Sequence, residues 1–215
     1  MFDDYYLKYI GSDDRTLING CMVYKAEDRD IPLNNRFIYR IIITDFRGIR
    51  TISVSPNISD NLIYDICNDI KDKAFEDILQ SGPLHRTGLR INKMYRMRID
   101  NAKFIENTTK DINIKMECIN ENRKFVIRDG DKMVSYCKIS NIDYNCGNIV
   151  VWTDEDYRRK GFARELLYRT IHKCKVEGIE PIYLVDSQNI ASIKLAQSVG
   201  FKIMQDEIVG CEVLS

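Results

Sequence analysis

Net charge is missing from this chain. Its 32 Lys and Arg residues balance 32 Asp and Glu over 215 residues. A nucleic-acid partner needs a basic excess and a solvating arm needs a one-signed tail, so neither is expected. Histidine is nearly absent, with only His85 and His172. The seven cysteines, at positions 21, 67, 118, 137, 146, 174 and 211, contain no C-x-x-C pair. No metal site and no disulfide framework is therefore expected, and the thiols read as reduced. No apolar run approaches the ~20 residues that span a bilayer, so no membrane partner is expected. The opening Met1-Phe2-Asp3-Asp4 carries acids where a secretory signal carries bases, and the expected location is the cytoplasm. Walker A and G-x-G-x-x-G sequences are both missing, which leaves nucleotide hydrolysis and dinucleotide binding unsupported. No Gly/Ser-rich or Pro-rich linker interrupts the chain.

What is present is an ordinary globular composition, 44% hydrophobic, with mixed α/β patterning. Phe37–Ile43 and Ile49–Val54 flank the turn Asp45-Phe46-Arg47-Gly48 and predict a hairpin. Leu62, Ile63, Ile66, Ile70, Ala74 and Ile78 follow helical spacing. They predict a helix capped by Ser59 or Asp60, running to Leu79 and ended by Ser81-Gly82-Pro83. A composition break at Leu84–Arg90 divides an N-terminal α/β unit, residues 1–90, from a second region, 91–215. Met94 to Asn122 carries little pattern beyond a candidate helix start at Asn107-Thr108-Thr109.

From Lys124 the pattern sharpens. Lys124–Arg128 and Met133–Ile139 flank Asp129-Gly130-Asp131, a hairpin signal. Asn148–Thr153 is a near-continuous apolar run, as in a central strand. A polar loop follows to Lys160 and Gly161. Ala163, Leu166, Leu167, Thr170, Ile171 and Cys174 then mark one helix face, with Gly178 at its end. Pro181–Val185 predicts a strand. Asn189 caps a helix running to Val199 and closed by Gly200, and Phe201–Met204 begins another strand.

The segment Arg158-Arg159-Lys160-Gly161-Phe162-Ala163 has a physical use. A helix start leaves backbone N–H groups unpaired and carries partial positive charge. Glycine admits a close anion, and three successive bases attract phosphate, so the loop suits a pyrophosphate. A strand-to-helix turn with a solvated basic edge fits the same residues equally well.

The run Tyr157–Ala163 resembles the acetyl-CoA signature of the GNAT superfamily, [RQ]-x-x-G-x-[GA], with Arg158, Gly161 and Ala163 at its fixed positions. Asn189–Phe201 resembles the family's second motif, an Asn that opens a helix ending in Gly-Phe. The resemblance covers about Phe125 to Phe201. It implies an α/β (α+β) GNAT fold, with a mixed, mostly antiparallel central sheet flanked by helices. It implies that acetyl-CoA is the co-substrate and that an amine is its acetyl acceptor. The backbone of Val151, Trp152 and Thr153 would pair with the pantetheine amides, where the strands on either side of the loop splay. N–H groups of Arg159, Lys160, Gly161, Phe162, Ala163 and Arg164 would hold the pyrophosphate, with Arg158 beside them. Asn189 and Ser192 would lie along the pantetheine arm. The bland role of Asn189 is a helix cap, and both roles are compatible.

Two departures stand out. The family's frequent Tyr in the second helix is Ala196 here, and the strand position that carries a base in some members is Leu184. Asp186, next along, is a candidate base, against the commoner role of a turn residue. Asp154 and Glu155 read as loop solvation. Tyr136, Cys137 and Tyr183 are candidate substitute acids, each more simply read as core. Ala196 with Thr153 also resembles a bacterial subgroup similar to acetyltransferases linked to zwittermicin resistance, in which an N-terminal α/β segment packs against the GNAT half, and residues 1–90 are expected on the acceptor side. The leading expectation is an N-acetyltransferase acting on a small-molecule amine, as a monomer or homodimer. The alternatives are a non-catalytic CoA-binding or sensing module and a protein N-terminal acetyltransferase.

Overall fold

The computed structural model describes residues 2–11, 15–33, 36–100, 114–119 and 122–214. In chain order its elements are α1 (Phe2–Ile10), β1 (Arg15–Ile18), β2 (Cys21–Lys25), β3 (Phe37–Phe46), β4 (Ile49–Val54), α2 (Asp60–Ile70), α3 (Gly82–His85), β5 (Arg90–Ile99), β6 (Ile114–Ile119), β7 (Asn122–Asp129), β8 (Lys132–Asp143), β9 (Cys146–Thr153), α4 (Phe162–Val176), β10 (Glu180–Asp186), α5 (Ile190–Ser198) and β11 (Phe201–Val213). The architecture is mixed α/β, with mostly antiparallel sheet flanked by helices. Two compact units divide the chain. One is Asp3–Tyr95 with Gln205–Ser215, and the other is Arg96–Met204 with Met1–Phe2. The residues after Met204, read from the sequence as part of 91–215, thus belong with the N-terminal unit.

In that unit the strands run β1-β2-β4-β3-β11. The predicted hairpin is present as β3 and β4. Phe46 pairs with Ile49 across Arg47 and Gly48, both at positive φ (53° and 78°), the geometry a two-residue hairpin turn requires. β11 adds antiparallel to β3, with Ile208 opposite Ile43 and Val213 opposite Phe37. Alternate residues Ile41, Ile43, Ile52 and Val54 bury one face against Ile63, Ile66 and Ile70 of α2 and against Ile208. The expected single helix to Leu79 is not formed. α2 stops at Ile70, because Arg50 reaches its end and donates to the carbonyls of Ile70 (2.6 Å) and Lys73 (3.1 Å). A 3-10 turn, Phe75–Gln80, follows. Ser81-Gly82-Pro83 starts an element rather than ending one: Ser81 accepts from Leu84 N–H as the cap of α3.

In the other unit the order is β5 (from Arg96 on)-β10-β9-β8-β7-β6. β7 and β8 form the expected hairpin, closed by the pair Asp129 and Lys132, with Gly130 at φ 57°. β8 continues beyond the expected Ile139 to Asp143 and turns through Tyr144 and Asn145 into β9. The predicted stripe of α4 is buried at Leu166, Leu167, Thr170, Ile171 and Cys174 and packs over β7, β8, β9 and β10. Ile139, Cys174 and Ile179 close part of this core. The candidate helix start at Asn107 falls outside the described residues. Among the described residues no helix is long and apolar enough to cross a membrane, and no His/Cys/Asp/Glu group could hold a metal ion.

Candidate active site

β9 is paired with β8 along its length, Cys137 opposite Val151 and Ser135 opposite Thr153. Its other edge is paired with β10 only at Cys146, Gly147 and Asn148, opposite Glu180, Pro181 and Ile182. Beyond Asn148 and Ile182 the two parallel strands part. A cleft of about 780 Å3 occupies that opening, with Val151, Trp152 and Thr153 on one side and Asn189, Ala191, Ser192, Lys194 and Leu195 on the other. Unpaired strand groups in a cleft are ready to bond a ligand's amides.

The loop after β9 closes one end. Asp154 caps a short 3-10 turn, Glu155–Tyr157, by accepting from Asp156 N–H at 3.1 Å. Lys132 lies 3.0 Å from the Asp154 carboxylate and holds its pKa below the usual value. Tyr157 donates to Asp129 Oδ2 at 2.6 Å, with Lys160 Nζ 4.4 Å and Lys132 Nζ 5.3 Å from its ring centre. Those contacts order the approach to α4. Arg159 (φ 62°) and Gly161 (φ 84°) then take left-handed backbone, which turns the chain sharply into the helix. The first backbone bond of α4 runs from Glu165 N–H to Gly161 O, 3.1 Å. Among the described residues the N–H groups of Phe162, Ala163 and Arg164 have no acceptor, as at any uncapped helix start. A Cβ built on Gly161 meets nothing within 4 Å, so the space beside it is open.

The cleft's charge is one-sided. Arg158, Arg159, Arg164 and Lys194 line it, and among the described residues no Asp or Glu does. Arg158 is partly engaged, lying 3.2 Å from Glu155, whereas Arg159 and Lys194 have no ion-pair partner among the described residues. On the far side Asn189 caps α5, its Oδ1 accepting from Ser192 N–H at 3.1 Å. Ser192 Oγ is 2.8 Å from the Tyr183 hydroxyl. Burial raises the Tyr183 pKa, while the Ser192 contact opposes the rise.

Of the residues expected from the sequence, Val151, Trp152, Thr153, Arg158, Arg159, Gly161, Phe162, Ala163, Arg164, Asn189 and Ser192 come together around this cleft. Lys160 is not part of its lining and instead sits over Tyr157. Asp186 is also outside the lining. Its Oδ1 accepts from Gln188 N–H at 2.8 Å and its carbonyl from Asn189 N–H at 2.9 Å, which is the turn role. Tyr157, Ala191, Lys194 and Leu195 line the cleft without having been singled out. The last three were within reach of helical spacing, being one turn or less from Ser192 on α5. Ala196 is fully buried and Leu184 half-buried.

The profile of the Acetyltransferase (GNAT) family matches residues 91–201, just over half of the chain. The chain belongs to this family. Residues of the chain are also 33% identical, over 82 positions, to the uncharacterized N-acetyltransferase YdfB of Bacillus subtilis (strain 168). The match covers 38% of this chain and 31% of that protein's length. Two solved structures share the fold. A GCN5-related N-acetyltransferase-like protein from Streptococcus suis 89/1591 has a TM-score of 0.51 at 15% identity, over 80% of this chain and 83% of that one. A GNAT-family acetyltransferase from Colwellia psychrerythraea has a TM-score of 0.50 at 10% identity, over 78% and 77%. The GNAT fold is thus reached independently by profile and by backbone.

Proposed function

We propose that this GNAT-family chain transfers the acetyl group of acetyl-CoA to the amine of a small molecule by direct attack. The observation that carries the reading is the cleft itself. A helix start with three unpaired N–H groups and four lining bases meets the unpaired edge Val151–Thr153 in one continuous opening. A pyrophosphate fits the first part and an extended amide-bearing arm the second. Phe162, Ala163 and Arg164 would hold the phosphates through their backbone. Trp152 and its neighbours would align the pantetheine, and Asn189 would lie on the opposite side of that arm.

In such a site the neutral amine attacks the thioester carbonyl, and a backbone N–H of β9 polarises the oxygen. Positioning and this fixed dipole supply the acceleration. Among the described residues no carboxylate lines the cleft, so in this reading the proton lost by the amine leaves through water. The subgroup resemblance carried by Ala196 and Thr153 favours a small-molecule acceptor and the cytoplasm as its setting.

The full burial of Ala196 and the absence of a lining carboxylate favour one second reading, a CoA-binding module without turnover. Calorimetry with CoA, followed by thiol release from acetyl-CoA across a panel of small primary amines, separates the two. Binding with amine-dependent release supports transfer. Binding without release from any amine supports the module, and no binding sinks both.

A further inference from the structure

The Tyr183 hydroxyl sits in the core of its unit, and the residue is 3% exposed. Its ring packs on Phe201 at 5.5 Å, and Cys137 is the titratable group that bears on it. Its one hydrogen-bond partner among the described residues is Ser192 Oγ, 2.8 Å away. The distance permits either hydroxyl to donate, but the surroundings do not treat the two alike. If Ser192 donated, the Tyr183 proton would be buried without an acceptor, a loss of about 1–3 kcal/mol. If Tyr183 donates, the Ser192 proton is left to point elsewhere, and Ser192 lines the cleft. The economical arrangement is therefore a two-hydroxyl chain running from the core to the cleft wall.

Its position matters because of what stands near it. Ser192 lies one turn before Ala196 on α5, so the two share a helix face. Ala196 has no proton to give, and among the described residues no lining Asp or Glu replaces it. A thiolate leaving within this cleft needs a donor other than residue 196.

Building on the acetyltransferase reading above, we propose that Ser192 protonates the leaving CoA thiolate and that Tyr183, acting through Ser192, positions and resupplies that proton. The step balances. The amine nitrogen bonds to the acetyl carbon, and the carbon–sulfur bond breaks with its electron pair on sulfur. Sulfur takes the Ser192 proton while Ser192 takes the Tyr183 proton. The proton shed by the amine returns by way of water and Ser192 to Tyr183. A phenol is protonated near neutral pH, and burial raises its pKa further, so the chain is loaded before each turnover.

The test reads the thiol of bound CoA, which requires no knowledge of the acceptor. Saturating wild-type protein, Ser192→Ala and Tyr183→Phe are each mixed with CoA, and alkylation of the CoA thiol by iodoacetamide is followed across pH by chromatography of the CoA adduct. A donor aimed at sulfur stabilises the thiolate, so each variant is expected to raise the apparent thiol pKa by about one unit, cutting alkylation near neutral pH about tenfold. Circular dichroism and the CoA affinity of Tyr183→Phe at pH 6, where the thiol is protonated, are expected to match wild type. Should Ser192→Ala fail to bind, Tyr183→Phe decides alone. An unmoved thiol pKa in Tyr183→Phe overturns the relay even if Ser192→Ala shifts it. Failure of the wild type to bind CoA overturns the acetyltransferase reading instead.

Discussion

Gly161→Asp tests the phosphate cradle, and Gly161→Asn is its control. The glycine has φ 84°, and its missing Cβ would meet nothing within 4 Å, so neither side chain clashes. Left-handed backbone costs an ordinary residue about 1–2 kcal/mol, less for Asn and Asp. Either side chain can recover part of that by capping the free N–H groups of Phe162, Ala163 or Arg164, typically about 1 kcal/mol. Both variants should therefore fold with nearly wild-type stability. They differ in charge. A carboxylate about 5 Å from one phosphate charge costs about 3 kcal/mol at an effective dielectric of 20. The cleft mouth is open to water, so roughly half of that survives. A pyrophosphate carries two such charges, which gives about a hundredfold loss of CoA affinity for Asp. Asn loses only what capping takes from the ligand, roughly tenfold or less. Calorimetry with CoA measures both losses, and pantetheine, which has no phosphate, should bind all three proteins alike. A folded Gly161→Asp protein with unchanged CoA affinity, or one that loses pantetheine to the same degree, would refute the cradle.

Three further outcomes are expected. Ala196→Gly should cost about 1 kcal/mol of helix propensity and roughly 0.8 kcal/mol for the buried methyl, seen as a lower Tm. Activity per folded molecule should largely remain, and a hundredfold loss would reveal an unread role for α5. Asp186→Asn keeps the oxygen that accepts from Gln188, so turnover should stay within about twofold, and a loss beyond tenfold would make the carboxylate a base after all. Burial pushes the Cys137 and Cys174 thiols from the ordinary 9.0 up to about 12. These folded-state values are raised, so the stability they represent is intact below pH 9 and is lost as pH climbs toward 12. Urea midpoints should fall across that window. The fall should be smaller in Cys137→Ala, and an equal fall would assign it to other groups.

Legibility in the sequence followed from how local each determinant is. The loop and α4 were readable because Gly161, the basic run and the stripe from Leu166 to Cys174 each act through near neighbours. β7 and β8 were readable from Asp129-Gly130 for the same reason. α2 was overread because the residue that ends it, Arg50, lies on a strand 20 residues away. β5 was obscured by its bases. Arg96 is 1% exposed, while Lys93 reaches Asp206 at 2.9 Å and Glu76 at 2.7 Å, so charges occupy positions where a strand pattern shows apolar residues. The turn at Tyr144 and Asn145 uses positive φ at both residues (47° and 56°) without glycine, and so carried no signal. Tyr183 looked like core packing and is core packing. What distinguishes it, the 2.8 Å contact with Ser192, depends on a strand and a helix meeting, which no single segment encodes.

The pairing of β11 with β3 also bears on how the chain is made. Phe37–Ile43 finds its second neighbour, beyond β4, only when Ile208–Val213 exists. A ribosome delivers the chain at roughly 5–20 residues per second, so β3 waits many seconds with one edge open after leaving the exit tunnel. During that wait Phe37, Ile38, Ile41 and Ile42 lie in an apolar strand that is paired with β4 but open along its other edge, the kind of edge that invites another chain. The segment Arg96–Met204, which makes up most of the other compact unit, is complete in the chain before Ile208–Val213 is made. The first strands made, β1 to β4, thus belong to a sheet that is completed only by the last strand made.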